Sequence, residues 1–276
     1  ARATCCTWPG AWPPATAGRR HTPAQKVVQK AVHRVQPFEQ VKELMQEARD
    51  LGFKSINVDL IYGLPLQSPS SFDKTLEQVV AISPDRIALY AYAHLPQRFK
   101  PQRRIADHQI PAAPDKLTML SRSLDYLQKA GYVYVGMDHF AKPDDALAKA
   151  QQAGKLQRNF QGYTTSGQDA LVGLGVSSIS QVNGVLWQNS KELTDYYASV
   201  GASELPARRG FSLSADDKLR AALISQLICH FELDITVFSR NWQLPHFWHY
   251  FSDALERLQP FMEDGLVEVY AGRIQV

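Results

Sequence analysis

Apolar and polar positions follow two alternating periods in the first half of the chain. In 37–52 apolar residues recur every three or four positions, which predicts a helix. A strand is predicted at 55–62, a helix with a capping-type serine ahead of Phe72 comes next, and a second strand is predicted at 86–93. This helix–strand alternation predicts parallel βα units and therefore an α/β fold.

The signals are weaker between the second strand and about residue 200. A helix is predicted at 114–130 and a strand over YVYVGM, followed by mostly loop at 138–170 with a short helix near 144–153. The segment LVGLGVSSIS predicts a strand interrupted by glycine.

After about residue 200 the pattern is typical of a smaller, helical domain. Ser214 caps one predicted helix, a second helix is predicted near 246–258, and the last residues predict a hairpin turning at Ala271-Gly272. Two helices and a hairpin indicate a winged-helix-like domain. Because Val276 falls on or just after the second hairpin strand, we expect this domain to be truncated.

The first 26 residues follow neither period. Pro, Ala, Thr and Arg dominate there, which predicts a disordered or non-native leader. The predicted organisation is therefore a leader at 1–26, an α/β domain at 27–200 and a helical domain at 201–276.

Composition narrows the classes of partner. The net charge is only +3 and the helices of the C-terminal domain lack a basic face, so no nucleic-acid partner is expected. There is no run of about 18 apolar residues and no signal peptide, so no membrane partner is expected. The three cysteines, Cys5, Cys6 and Cys229, form no disulfide framework, which favours a reducing compartment and predicts a cytoplasmic protein.

The strand NVDLIYGLP carries a carboxylate among apolar residues. Side chains alternate across a strand, so Asn57, Asp59 and Ile61 share one face. The other face is apolar and consists of Ile56, Val58, Leu60 and Tyr62. The apolar face is expected to pack on helices, which leaves Asp59 facing inward. An inward carboxylate indicates either a polar ligand or a buried, satisfied hydrogen bond.

Five segments in order, NVDLIYGLP, YAYAHLP, GMDHFAKPDD, RNFQGYTT and GVSSIS, closely resemble the oxygen-independent coproporphyrinogen III oxidases. These are radical S-adenosylmethionine enzymes of haem biosynthesis, and the resemblance runs from about Val28 to Val276. It implies part of a (β/α)₆ barrel followed by the small C-terminal domain. It also implies oxidative decarboxylation of coproporphyrinogen III to protoporphyrinogen IX, with S-adenosylmethionine and a 4Fe–4S cluster as cofactors.

The resemblance also implies site residues. Arg34, Asp59 and Ala93 resemble the family's second S-adenosylmethionine site, and Ile179 resembles a contact to the first. A guanidinium suits the carboxylate of the methionine end and an aspartate suits its ammonium. Ala93 would act through its backbone or close packing, and Ile179 can offer only apolar contact.

The chain departs from the family in its cluster motif. The family binds the cluster through C-x-x-x-C-x-x-C, which this sequence lacks, and the position of a glutamine ligand to S-adenosylmethionine falls near Thr22. No metal-binding residues are therefore assigned, and the first four barrel strands are expected to be missing. We expect the chain alone to be unable to assemble the cluster or to start radical chemistry.

Other polar residues are candidates for substrate binding. They are Asp138, His139, Arg158, Gln161 and Tyr163. The basic segment LPQRFKPQRR is either a holder of the four substrate propionates or a solvated loop. The chain is expected to act as a monomer, and two alternatives stay open: a haem-holding chaperone of the same superfamily, although RNFQGYTT favours the oxidase, and a gene remnant without function.

Overall fold

The computed structural model describes residues 26–160, 162–166, 170–270 and 272–276. Almost all of the predicted leader, as well as Gln161 and Ala271, lies outside the described residues. The chain forms two compact units, one up to Lys149 and the other from Ala150 to Val276. The predicted division near residue 200 would fall within the second unit and stays a prediction.

The first unit follows the predicted alternation of helices and strands. Its helices are α1 Lys26–Ala31, α2 Phe38–Asp50, α3 Pro69–Ile82, α4 Ala113–Lys129 and α5 Ala146–Gln152, the last running into the second unit. Its strands are β1 Asn57–Tyr62, β2 Arg86–Ala91, β3 Val133–Gly136 and β4 His139–Ala141. Two short 3₁₀ helices, Lys100–Arg104 and Asp107–Gln109, lie between β2 and α4.

Local signals explain where these helices begin and end. The Ser68 hydroxyl accepts a hydrogen bond from the Ser71 backbone N–H, and the Ser71 hydroxyl accepts one from Ser68, which forms a capping box at the start of α3. Gly52 and Gly131 follow α2 and α4 with φ of +85° and +89°, a left-handed conformation that favours glycine.

The first sheet has the order β1-β2-β4-β3. Strands β1 and β2 are parallel, as predicted, but β4 runs antiparallel to both β2 and β3. The short helix predicted near 144–153 is confirmed as α5, but the rest of 138–170 is not mostly loop, since it contains β4 and, further on, a second hairpin.

The core of the first unit lies on one face of this sheet. Val58, Leu60 and Tyr62 of β1 pack there against side chains of α2, α3 and α4. The predicted apolar face of β1 is thus the face that packs on helices, which leaves Asp59 and Ile61 on the other.

The second unit combines small antiparallel sheets with helices. Its strands are β5 Gln157–Asn159, β6 Gly162–Thr164, β7 Ala170–Leu171, β8 Ile179–Val182, β9 Val185–Asn189, β10 Ala207–Ser212, β11 Glu232–Asp234, β12 Glu268–Tyr270 and β13 Arg273–Gln275. Its further helices are α6 Leu193–Gly201, α7 Ala215–His230, α8 Ile235–Asn241, α9 Phe247–Tyr250, α10 Ser252–Glu256 and α11 Gln259–Glu263.

Four features of the second unit test the predictions made from the sequence. Helix α7 is capped by Ser214 as predicted, and β12 and β13 form the predicted terminal hairpin. The helix predicted near 246–258 is instead broken into short helices, and the predicted glycine-interrupted strand is two paired strands, β7 and β8. Gly175, with φ of +98°, lies in the loop between them.

The C-terminal part of this unit has its own core around Leu233, Phe238 and Phe247. Helix α7, a three-stranded sheet in the order β11-β13-β12 and the short helices surround it, which agrees with a winged-helix-like domain. Within the described ranges no helix is both long and apolar enough to cross a membrane.

Candidate functional site

Asp59 lies on the sheet face opposite the core. Its side chain is almost fully buried, with 3% exposure, and its Oδ1 accepts a hydrogen bond of 2.6 Å from Asn57 Nδ2. A carboxylate has about four acceptor sites and can therefore accept several hydrogen bonds at once. The predicted inward orientation is confirmed, while the role of Asp59 as a ligand residue stays a prediction.

The strand register places Asp59 in one row with His139. Asp59 of β1 is opposite Ala88 of β2, and Ala88 is opposite His139 of β4. Residues opposite each other point to the same side, so the two polar side chains flank the small Ala88, roughly 10 Å apart between their backbones. Ala88 was not predicted as a site residue, although the alternation Ala88, Tyr90, Tyr92 along β2 could have indicated this face.

A pocket of about 380 Å³ adjoins the same face, since Ile61 of β1 forms part of its wall. Arg34 also lines it, from the loop between α1 and α2. The remaining wall comes mostly from Tyr92 and from the 3₁₀ helix Lys100–Arg104. The pocket is thus built from three segments that are distant in sequence.

Two glutamine side chains hold the walls of this pocket in place. Gln29 donates to the Gln36 carbonyl (3.0 Å) and accepts from the Gln36 N–H (2.9 Å), which ties the Arg34 loop to α1. Gln102 likewise donates to the Ala93 carbonyl (3.0 Å) and accepts from the Leu95 N–H. Each wall is therefore ordered before any ligand binds, which lowers the entropic cost of binding.

Ala93 follows the end of β2 and is exposed. Its carbonyl is already the acceptor for Gln102. The resemblance implies that Ala93 contacts a ligand through its backbone. Such a contact would use either the second lone pair of this carbonyl oxygen or the neighbouring peptide surface.

Asp138 and His139 belong to a tight two-residue turn and the strand after it. Met137 and Asp138 both have positive φ, +37° and +63°, as hairpin turns of the I′ kind require. Burial raises the pKa of Asp138, although the neighbouring His139 opposes the shift. Burial, assisted by the charge of Asp138, also raises the pKa of Tyr62. The His139 ring lies 2.8 Å from the Met137 carbonyl through Nδ1 and packs edge-on against Tyr90. Of the two, it is His139 that the register places on the face of Asp59.

The other candidates lie in the second unit. The Arg158 guanidinium lies over the Tyr163 ring at 5.0 Å, and the Tyr163 hydroxyl donates to the Ile228 carbonyl at 3.0 Å. Ile179 begins β8 and is partly buried, and Gln161 lies outside the described residues. The contacts of Tyr163 hold β6 to α7, whereas any contact of these residues with a ligand stays a prediction.

The residues present do not fit a 4Fe–4S cluster. Cys229 is buried and free, and burial raises the pKa of its thiol, which disfavours the thiolate that binds iron. Among the described residues no group of three or more His, Cys, Asp or Glu side chains could hold a metal ion. Besides Cys229 the sequence offers only Cys5 and Cys6, which are adjacent and lack the C-x-x-x-C-x-x-C spacing.

Comparison with known proteins gives a consistent result. No protein-family model matches the chain. Curated relatives are the oxygen-independent coproporphyrinogen III oxidases of Pseudomonas aeruginosa, 49% identical over 249 residues (90% of this chain and 54% of the relative), and of Escherichia coli, 47% identical over 251 residues (91% and 55%). That of Thermostichus vulcanus is 42% identical over 250 residues, 90% of this chain and 77% of the relative.

A solved structure agrees. Coproporphyrinogen III oxidase from Escherichia coli, described as a radical SAM enzyme, matches with a TM-score of 0.89 and 45% identity, over 94% of this chain and 60% of that one. The match confirms the α/β fold of the radical SAM kind. The chain spans about half the length of the first two relatives.

Proposed function

The chain belongs to the family of oxygen-independent coproporphyrinogen III oxidases, and we propose that it forms the part of such an enzyme that holds one S-adenosylmethionine beside the porphyrinogen. The whole enzyme would convert two propionates of coproporphyrinogen III to vinyl groups, giving protoporphyrinogen IX. The observation that carries the proposal is the buried Asp59 on the sheet face that adjoins the pocket.

Asp59 and Arg34 would hold the two ends of the amino-acid part of S-adenosylmethionine. Asp59 would accept hydrogen bonds from the ammonium, strengthened because the carboxylate is shielded from water. Arg34 would pair with the ligand carboxylate. Bound S-adenosylmethionine would supply the radical precursor of the reaction.

His139 would face the substrate from the same row as Asp59. Ala88 lies between them in the strand register. The porphyrinogen would contact His139 from this side of the sheet, with Tyr90 fixing the imidazole from the side. We derive no step through an iron–sulfur cluster, because the residues present do not fit one.

The test is calorimetric titration of the 276-residue chain with S-adenosylmethionine. Asp59→Asn keeps the shape but removes the charge, and we expect affinity to fall about tenfold or more, since hydrogen bonds to charged groups contribute about 1.5–3 kcal/mol. Asp125→Asn, on the exposed side of α4, is the matched control and should leave the affinity unchanged.

A second ligand sharpens the test. 5′-Methylthioadenosine lacks both the ammonium and the carboxylate, so Asp59→Asn should not change its affinity. Equal binding of S-adenosylmethionine by the wild type and Asp59→Asn would disprove the assignment of Asp59. Haem titration in the Soret region tests the chaperone alternative, which tight stoichiometric binding would favour. The cytoplasmic location and the monomeric state stay predictions.

A further inference from the structure

The basic segment LPQRFKPQRR, between β2 and α4, contains two pairs of cations that differ in whether they line the pocket. Lys100 and Arg104, at the two ends of the 3₁₀ helix, line the pocket. Arg103 instead donates from Nε to the Pro96 carbonyl at 3.1 Å, and Arg98 is exposed outside the lining. The sequence alone shows four equivalent cations, whereas only two of them face the pocket.

The charge of the pocket favours an anion. Arg34, Lys100 and Arg104 all line it, and none of the lining residues, which fall within 29–105, is Asp or Glu. S-Adenosylmethionine carries a carboxylate, an ammonium and a sulfonium, so its net charge is positive. Its carboxylate can pair with one of these cations, whereas the remaining cations would repel its ammonium and sulfonium.

The apolar surface of the pocket limits which anion fits. The pocket also has an aliphatic wall, supplied by Val32, Ile61, Leu64 and Ile105. A small hydrated ion would leave this surface exposed, whereas a carboxylate on a short alkyl arm would cover it with its methylene groups. At about 380 Å³ the pocket has room for one substituted pyrrole with its arm rather than for a tetrapyrrole.

We infer that Lys100 and Arg104 bind a propionate arm of the tetrapyrrole substrate at the rim of this pocket, an inference that rests on the proposed function. The arm lies along the aliphatic wall, and its carboxylate pairs with both cations. Arg34, on the other wall, stays with the carboxylate of S-adenosylmethionine. Lys100 and Arg104 are thus specificity residues that select a substrate with acidic arms.

The experiment measures binding of coproporphyrin III, the stable oxidised form with four propionates, to the full chain by fluorescence titration. Lys100→Gln/Arg104→Gln should weaken binding about tenfold or more, as expected for the loss of two charge-assisted contacts. The control Arg98→Gln/Lys129→Gln removes the same charge from exposed positions and should change binding less than about twofold. Lys100→Arg/Arg104→Lys, which keeps both charges, should restore most of the affinity.

Etioporphyrin, which has no propionates, and S-adenosylmethionine separate the outcomes. The Lys100→Gln/Arg104→Gln penalty should disappear for etioporphyrin, and S-adenosylmethionine affinity should not fall. Equal weakening by the control pair, or loss of S-adenosylmethionine binding together with coproporphyrin, would overturn the inference. If S-adenosylmethionine binds through Asp59 while all variants bind coproporphyrin equally, this inference fails alone. A chain that binds neither ligand disproves the proposed function as well.

Discussion

Tyr132 shows how a single buried hydroxyl joins two segments of the first unit. It donates a hydrogen bond of 2.7 Å to the Pro84 carbonyl, just ahead of β2, and only 5% of the residue is exposed. Burial, assisted by the nearby Asp85 and opposed by Arg49, raises the pKa of Tyr132 to about 12. The folded state therefore favours the protonated, neutral phenol.

This pKa predicts a loss of stability at high pH. The contribution is complete below pH 10, where the phenol is neutral in both states. It is lost as pH rises from 10 to 12, because the unfolded chain ionises first. We expect the free energy of unfolding of the wild type to fall by about 2 kcal/mol more than that of Tyr132→Phe over this range. Urea unfolding of both proteins at pH 9 and pH 12 measures the difference, and parallel curves would contradict the prediction.

At the scale of elements, the sequence predicted those that carry their own local signals. The capping serine at Ser68 and the glycine after α2 are recognisable without tertiary structure. Strand β4 was missed because it has three residues and its turn, Met137-Asp138, lacks the Asn-Gly signal of such hairpins. The pairs of hydrogen bonds made by Gln29 and Gln102 were also missed, because an amide's partner is set by packing and leaves no periodic trace.

Gly63, in the turn after β1, allows an element-level prediction. Its φ is +77°, and a Cβ there would lie 3.1 Å from Lys116 Cε. Gly52 has a similar φ of +85° with nothing within 4 Å of a Cβ, so it is the matched control. We expect Gly52→Ala to cost about 1 kcal/mol from the backbone alone and Gly63→Ala measurably more in urea unfolding.

The excess at Gly63 should disappear when Lys116 is shortened. In a Lys116→Ala background, Gly63→Ala and Gly52→Ala should cost the same within about 0.5 kcal/mol. A persistent excess would mean that the turn itself, rather than the lysine stem, requires glycine at this position.

For the whole molecule, sequence reasoning was strongest where one strand carried the information. The alternation along β1 alone predicted which way Asp59 faces. The pocket could not be predicted, because its walls come from the loop at 29–36, the end of β1 and the segment at 92–105. The 3₁₀ helix Lys100–Arg104 determines which of the four cations in the basic segment line the pocket. The spacing of apolar residues does not reveal so short an element.

The cysteine content leads to a prediction for the chain as a whole. Anaerobic reconstitution with iron and sulfide should yield no stoichiometric 4Fe–4S cluster, because the sequence lacks the C-x-x-x-C-x-x-C spacing and Cys229 is buried. Iron content and visible absorbance measure the outcome, and Cys229→Ser should behave like the wild type. Four irons per chain with the absorbance of a cluster would contradict the prediction.

The order of the first sheet limits how its parallel part can be extended. β2 is flanked by β1 and β4, while β1 pairs on one side only within the described residues. Any further strand that extends the parallel part of this sheet must therefore pair with the outer edge of β1, Asn57–Tyr62. Main-chain hydrogen bonds would accept any backbone there, so selectivity would depend on how the incoming side chains fit beside Val58 and Leu60 on one face and Asp59 on the other.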